Sequence, residues 1–335
     1  MANFTSTTNP KKPFTLYWSN LALYEGCPQA FLWGRGWGTI DSGGGMGRKK
    51  PLPVRKLEHH AMLGVAIQYA IEKFYNDQLW QLLDPETLKR RLLELADEMF
   101  RLELAKRYVD WRAAGDREDL EKLVREGVMG YMRTMKHHRF LGPYAKAEVE
   151  LLGYVDKWTP VGGRADVIIR RQDTGVTILD GKNSKRYKDP RTGTYTLTHT
   201  DPDQLRWDAL LFHLTYGQYP DRLGFVYYRY PYGAPILDAD SNPTGETETG
   251  VDWVPYTKDD LKGLAHRAQT ALRGMDKERF EATPSPNACK FCDYESVCPE
   301  RKAQKDMNRR TPRDPKAGPI PLATSDSDGV AKFSM

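Results

Sequence analysis

Two aspartates and a lysine in VGGRADVIIRRQDTGVTILDGKNSK, residues 161–185, have the types and spacing for metal-assisted hydrolysis. VIIR and VTIL are β-prone, and Asp173-Thr174-Gly175 supplies turn chemistry between them. With those three residues as a hairpin loop and Gly175 left-handed, residue 172 faces 176, Asp166 falls opposite Lys182, and Ile168 opposite Asp180. Side chains alternate along a strand, so Asp166, Asp180 and Lys182 project from one face. Direct neighbours are then ~5 Å apart and diagonal ones ~7–8 Å. Carboxylates at that separation can share a hard divalent cation such as Mg²⁺. The ion would activate water and neutralise charge on a phosphate, and the lysine would orient the water or stabilise the transition state. A lone D-x-K fits an exposed hairpin equally well. The upstream G-x-x-D, Gly163 to Asp166, makes the pattern more specific.

The cysteines form a second constellation. Cys289-x2-Cys292-x5-Cys298-Pro299 is compact, and Cys27, with its own Pro28, stands far upstream. Four thiolates hold either zinc or a 4Fe–4S cluster, and spacing alone favours zinc as the commoner structural metal. Four unliganded buried thiols are the plainer alternative. Either metal would tie the beginning of the chain to its end, closing a loop whose chain entropy is otherwise costly.

The elements that must position these groups follow from periodicity. Residues 15–33 read as a short helical segment around Cys27, followed by a glycine-rich loop from Gly34 to about Pro53. Residues 57–77 have helical periodicity, with Leu63, Ile67, Ala70, Ile71 and Phe74 on one face. Residues 85–137 predict two or three helices, a candidate helical subdomain, starting at Asp84-Pro85. Residues 147–182 turn strand-like, 202–216 helical, GFVYYRY at 224–230 β-rich, and 256–280 helical. Gln204 opens the 202–216 helix, where it can reach a phosphate or a water, or serve as an ordinary polar residue of a first turn. Residues 1–14 read as a loose tail, 15–300 as the folded domain, and 301–335 as a polar, proline-rich disordered tail.

Of the 335 residues, 39% are hydrophobic and 28% charged, which suits a packed core. The net charge of +5 permits nucleic-acid binding without demonstrating it. No run of ~18 apolar residues predicts a membrane span. MANFTSTTNPKKPF lacks an apolar signal region, so a reducing cytoplasm is expected, where cysteines serve as ligands rather than disulfides. SGGGMGRKK, Ser42 to Lys50, has the wrong spacing for a phosphate-binding loop, which argues against an ATP-driven motor.

Taken together, these residues resemble the PD-(D/E)xK nuclease superfamily in its RecB-like branch, and within it the iron–sulfur nucleases: the AddB nuclease domain, the CRISPR-associated adaptation nuclease and phage-borne relatives. The resemblance spans roughly residues 16–300. Ser19 to Pro28 match S-x-x-x-x-Y-x-x-C-P; Asp166, Asp180 and Lys182 match G-x-x-D and D-x-K; Gln204 matches the glutamine motif; Cys289, Cys292, Cys298 and Pro299 match the ending. It implies an α/β core sheet flanked by helices, with a helical insertion and an iron–sulfur clasp on Cys27, Cys289, Cys292 and Cys298. It further implies Mg²⁺ or Mn²⁺ held by Asp166, Asp180, the Gly181 carbonyl and Gln68, and catalysis by Asp166, Asp180, Lys182 and Gln204. The implied activity is exonucleolytic cleavage of single-stranded DNA or DNA ends, with a helicase or recombination partner.

Two departures stand out. Gln68 occupies the family's metal-ligating histidine position in Gly64-Val-Ala-Ile-Gln68-Tyr-Ala-Ile-Glu72, and Asp208 replaces the tyrosine of Q-x-x-x-Y. An amide oxygen suits Mg²⁺ better than softer ions. Glu148 can match a family acidic residue or be structural. Trp207, Tyr227 and Tyr228 are candidates for base stacking or for the core. The departures motivate one rival, a catalytically weakened protein that grips DNA ends; the cysteine spacing leaves a second, a zinc-clasped endonuclease of the same fold.

Overall fold

β-prone and helical runs alternate along the chain and assemble as a mixed sheet between two helical layers. The computed structural model describes residues 14–35, 59–82, 84–106, 116–183, 201–237, 242–285, 288–289 and 292–303, together with the backbone of short strands at 5–6, 9–13, 186–188 and 195–197. The glycine-rich stretch before residue 59 and the expected tail beyond 303 lie outside these residues.

Strand β1 (Leu16–Tyr17) leads into helices α1 (Trp18–Gly26) and α2 (Pro28–Arg35), with Cys27 at the break between them. Helices α3 (His59–Asn76), α4 (Pro85–Lys106) and α5 (Arg117–His137) follow. Then come β2 (Ala145–Tyr154), β3 (Pro160–Arg171), β4 (Gly175–Lys182), α6 (Pro202–Tyr216), β5 (Arg222–Tyr227), β6 (Val251–Val254) and α7 (Lys258–Asp276). In the six-stranded sheet, β6, β5, β4 and β3 run side by side, β1 joins β3 in parallel, and β2 pairs antiparallel along β3. The β4–β5 pair is parallel, with α6 as its crossover.

Caps fix the helices that matter to the site. Asp201 caps α6 by accepting the Asp203 N–H at 3.0 Å, Pro202 stands at its start, and Gly217 closes it in a left-handed conformation at φ +70°. Thr257 and Asp260 form a capping box on α7. One apolar core lies between the sheet and α3, α4 and α5, so the helices of the 85–137 segment share their core with α3 and the sheet. The other lies between the sheet and α1, α2, α6 and α7, with Trp207, Phe212 and Phe225 at its centre.

The hairpin carrying the aspartates departs from the expected register by two residues. Arg171 pairs with Gly175 and Val167 with Leu179, so the loop is Gln172-Asp173-Thr174. The reason is local. The Arg171 guanidinium holds the Asp173 carboxylate inside the loop, and Val176 N–H donates to Asp221 Oδ2 at 2.7 Å, which pins Gly175 to the strand. Gly175 keeps the expected positive φ, at +70°, and a Cβ there would collide with the Asp221 carboxylate. Continuing that register sets Asp166 opposite Asp180 rather than opposite Lys182.

Candidate active site

The same register argument applies on the other edge of β3. Ala147 pairs with Val167 and Val149 with Ala165, which leaves Glu148 facing Asp166. Glu148, Asp166 and Asp180 therefore occupy one row across three adjacent strands. The regular alternation of faces breaks at this row. Ala147 and Val167 belong to the core under α3, whereas Ala165 and Leu151 belong to the core under α6. Glu148 carries the break in its backbone, at φ +53°, a conformation that costs a non-glycine residue energy and recurs where function requires it.

Asp180 is only 3% exposed. Its Oδ2 lies 2.6 Å from Lys182 Nζ, an ion pair whose angle is not that of a hydrogen bond, so this buried oxygen has no hydrogen-bond partner. Lys182 Nζ donates instead to Gln204 Oε1 at 2.9 Å. Asp166 Oδ2 accepts the Gly181 N–H at 2.9 Å. Burial first, and then the facing Asp180 carboxylate, push Asp166 well above the usual carboxylate range. A buried carboxylate facing a half-buried one, with an oxygen that has no hydrogen-bond partner, is a site that a divalent cation would stabilise, so the residues present fit one. Asp166, Asp180 and the Gly181 carbonyl are the groups that would hold it.

Gln68 reaches the row from α3, which places it beside the carboxylates as the periodicity of that helix requires. Its amide is committed at both ends: Nε2 donates to Glu148 Oε1 at 2.9 Å, and Oε1 accepts the Tyr228 hydroxyl at 2.6 Å. Gln68, Glu148, Asp166 and Gly181 line one pocket of about 580 Å³. Asp208, one turn after Gln204, is buried near Asp180 and Lys182. Burial and the Asp180 charge raise its carboxyl well above the usual range, with Lys182 opposing. Sequence reasoning missed the roles of Tyr228 and Glu148 in holding Gln68, and no local signal marks them because the three come from separate segments. Trp207 and Tyr227 are core residues, and Trp207 Nε1 donates to the Gly162 carbonyl at 3.2 Å.

At the other end of the chain, Cys27, Cys289, Cys292 and Cys298 all line one small cavity and none is disulfide-bonded. Tyr294 N–H points at Cys292 Sγ at 3.4 Å. The terminal segments also meet through ordinary contacts. Tyr24 donates to the Arg279 carbonyl at 2.9 Å, Thr283 to the Gly26 carbonyl at 3.0 Å, and the Trp33 and Tyr294 rings lie 5.4 Å apart. Among the described residues, no three His, Cys, Asp or Glu side chains converge as a metal cage, at either place. No helix of the described residues is long and apolar enough to cross a membrane.

The profile of the PD-(D/E)XK nuclease superfamily matches residues 18–299, most of the chain. The chain belongs to this superfamily, whose members are nucleases that typically work with divalent metals, and the mixed sheet flanked by helices is consistent with its fold. Among solved structures, the crystal structure of SSO0001 is similar at 15% identity with a TM-score of 0.30, over 71% of this chain and 85% of that one. No curated protein sequence matches the chain.

Proposed function

We propose that this chain is a Mg²⁺- or Mn²⁺-dependent exonuclease of the RecB-like branch, acting on single-stranded DNA or DNA ends. The observation that carries the reading is buried Asp180, facing Asp166, with its Oδ2 ion-paired to Lys182 but without a hydrogen-bond partner. A divalent ion held there supplies a water of lowered pKa and counter-charge for the phosphate. The chain's own groups do the rest. Lys182, held between Asp180 and Gln204, keeps its ammonium aimed at the position of the attacking water and of the growing phosphate charge. Gln204 fixes that lysine rather than touching the phosphate itself. Gln68 steadies Glu148 beside Asp166 and lines the same pocket, where its amide would be at hand for an ion.

The same proposal places a 4Fe–4S cluster on Cys27, Cys289, Cys292 and Cys298, as a structural clasp in a reducing cytoplasm. Its support is that four cysteines from both ends of the chain, none of them disulfide-bonded, line one cavity. Unwinding of duplex DNA would come from a partner such as a helicase.

A second reading has one observation in its favour. Both ends of the Gln68 amide are hydrogen-bonded, to Glu148 and to Tyr228, so the amide as it stands is not free to hold a metal. That arrangement suits a protein that grips DNA ends with weakened cleavage. End-labelled single-stranded DNA incubated with Mg²⁺ or Mn²⁺ separates the two. Mononucleotide release supports the exonuclease. Binding without cleavage under either ion supports the end-binding protein. The absorption spectrum of anaerobically purified protein, with a band near ~400 nm, tests the cluster.

A further inference from the structure

Beyond the carboxylate pocket, a second concavity of about 530 Å³ opens between α5 and the turn that follows β5. Its size falls within the ~300–1,000 Å³ typical of ligand pockets. The lining is cationic. Arg133 of α5 and Arg229 of the turn have no carboxylate partner among the described residues, whereas Arg125 beside them is held by Asp97 at 2.8 Å. The one acid of the lining, Glu126, lies 3.9 Å from Lys122. Tyr230 and Pro231 add apolar surface.

This concavity adjoins the carboxylate pocket. Tyr228 lines both. Its N–H donates to the Lys182 carbonyl at 3.1 Å, and Arg229 is the next residue. Gly127 and Gly130 let α5 lie directly on this segment: a Cβ at Gly130 would sit 2.6 Å from the Tyr228 carbonyl oxygen. The two cavities are therefore separated by one residue.

We propose that this pocket binds the DNA strand next to the scissile phosphate, with Arg133 and Arg229 on two successive backbone phosphates and Tyr230 beside a base. The inference rests on the nuclease reading and names the path of its substrate. An unpaired guanidinium is a planar, bidentate donor suited to a phosphodiester. A half-buried aromatic ring offers a base a stacking face without regard to sequence. Two unneutralised charges in one concave site attract a polyanion and bind it in a salt-dependent way.

The test compares the full-length wild type with Arg133→Ala/Arg229→Ala and with Arg133→Lys/Arg229→Lys, each checked for an unchanged melting temperature. Affinity for a single-stranded oligonucleotide is measured by fluorescence anisotropy in Ca²⁺ across salt concentrations. The alanine pair is expected to bind about tenfold more weakly or worse, which is ~1.4 kcal/mol. It is also expected to lower the slope of log affinity against log salt by about 1.4, at ~0.7 per lost phosphate contact. The lysine pair keeps the slope. Hydrolysis of thymidine 5′-(p-nitrophenyl phosphate), which needs only the carboxylate pocket, stays unchanged in both. Wild-type affinity and slope in the alanine pair would overturn the proposal, and so would an equal loss on the small substrate, which would put the arginines in the carboxylate pocket itself. If even the wild type fails to hydrolyse the small substrate while the anisotropy difference stands, the nuclease reading falls and the strand-binding pocket remains.

Discussion

The hydroxyl of Tyr228 lies over Gly181 and donates to Gln68 Oε1 at 2.6 Å, so one buried phenol joins the D-x-K strand to the helix that faces it. Gly181 is required for this approach, because a Cβ there would collide with the Tyr228 ring and hydroxyl. Gly181→Ala is therefore expected to cost ~1–3 kcal/mol through overpacking. Tyr228→Leu alone removes the hydrogen bond to the half-buried Gln68 oxygen and part of the volume that the buried ring fills, at ~1–3 kcal/mol. The two losses should not add, because removing the ring also removes the collision. Denaturant unfolding of the two single variants and the double variant checks this; strict additivity would show that Tyr228 and Gly181 are not in contact.

Asp180 carries the charge that raises Asp166, and its Oδ2 meets Lys182 as an ion pair without a hydrogen bond. Asp180→Ala is expected to abolish metal-dependent cleavage while binding of single-stranded DNA persists. Losing a shared metal ligand removes several kcal/mol of barrier lowering, each ~1.4 kcal/mol being tenfold in rate. Gel assays of labelled DNA with Mg²⁺ and Mn²⁺ measure it. Cleavage at the wild-type rate would remove Asp180 from the reacting centre.

Much of this was legible in the residues themselves. The order of helices and strands followed from periodicity, and the α6 boundaries, 202–216, follow from Asp201-Pro202 at one end and Gly217 at the other. The register of the aspartate hairpin was not legible, because Arg171 and Asp221 together decide which residues form the loop, and Asp221 stands far along the chain, just before β5. A slip of two residues preserves the side-chain alternation, which is why Asp166, Asp180 and Lys182 still come together despite the wrong partners. The break in alternation at Glu148 was equally hidden, since nothing in Ala-Glu-Val-Glu signals a left-handed glutamate. The short strand β6 has only four residues, too few for a periodic signal. The convergence of Cys27 on the C-terminal cysteines came from pattern resemblance; local spacing says nothing about a pair so far apart.

Asp208 gives a pH dependence whose sign is fixed. Burial, then Asp180, raise its folded-state value above the ordinary 3.8. The folded state thus holds this proton more tightly than the unfolded chain does. Stability from this group is fully present below 3.8 and is lost as pH rises through the raised value, at up to ~1.4 kcal/mol per pH unit within that window. Asp208→Asn keeps the shape without the titration. The stability of Asp208→Asn relative to wild type should therefore increase as pH climbs from 4 towards neutrality. Denaturant midpoints in metal-free buffer across that range measure the difference. A difference independent of pH would mean that Asp208 titrates normally.

Gln68 tests how the site treats its metal. Its amide oxygen is a hard, neutral ligand only if the Tyr228 hydroxyl releases it; otherwise the side chain acts by holding Glu148 beside Asp166. These two roles diverge under substitution. Gln68→His places an imidazole, which suits transition metals, at the same point of α3. If Gln68 meets the ion, Gln68→His tightens Mn²⁺ and raises Mn²⁺-supported cleavage relative to Mg²⁺, while Gln68→Ala weakens both. If Gln68 only holds Glu148, Glu148→Gln reproduces the effect of Gln68→Ala, and Gln68→His shows no preference for Mn²⁺. The expected outcome is the second, because both ends of the Gln68 amide are already hydrogen-bonded, one of them to Glu148. Cleavage rates against metal concentration for the wild type and these three variants distinguish the two, and superimposable curves for all four would take both Gln68 and Glu148 out of the metal site.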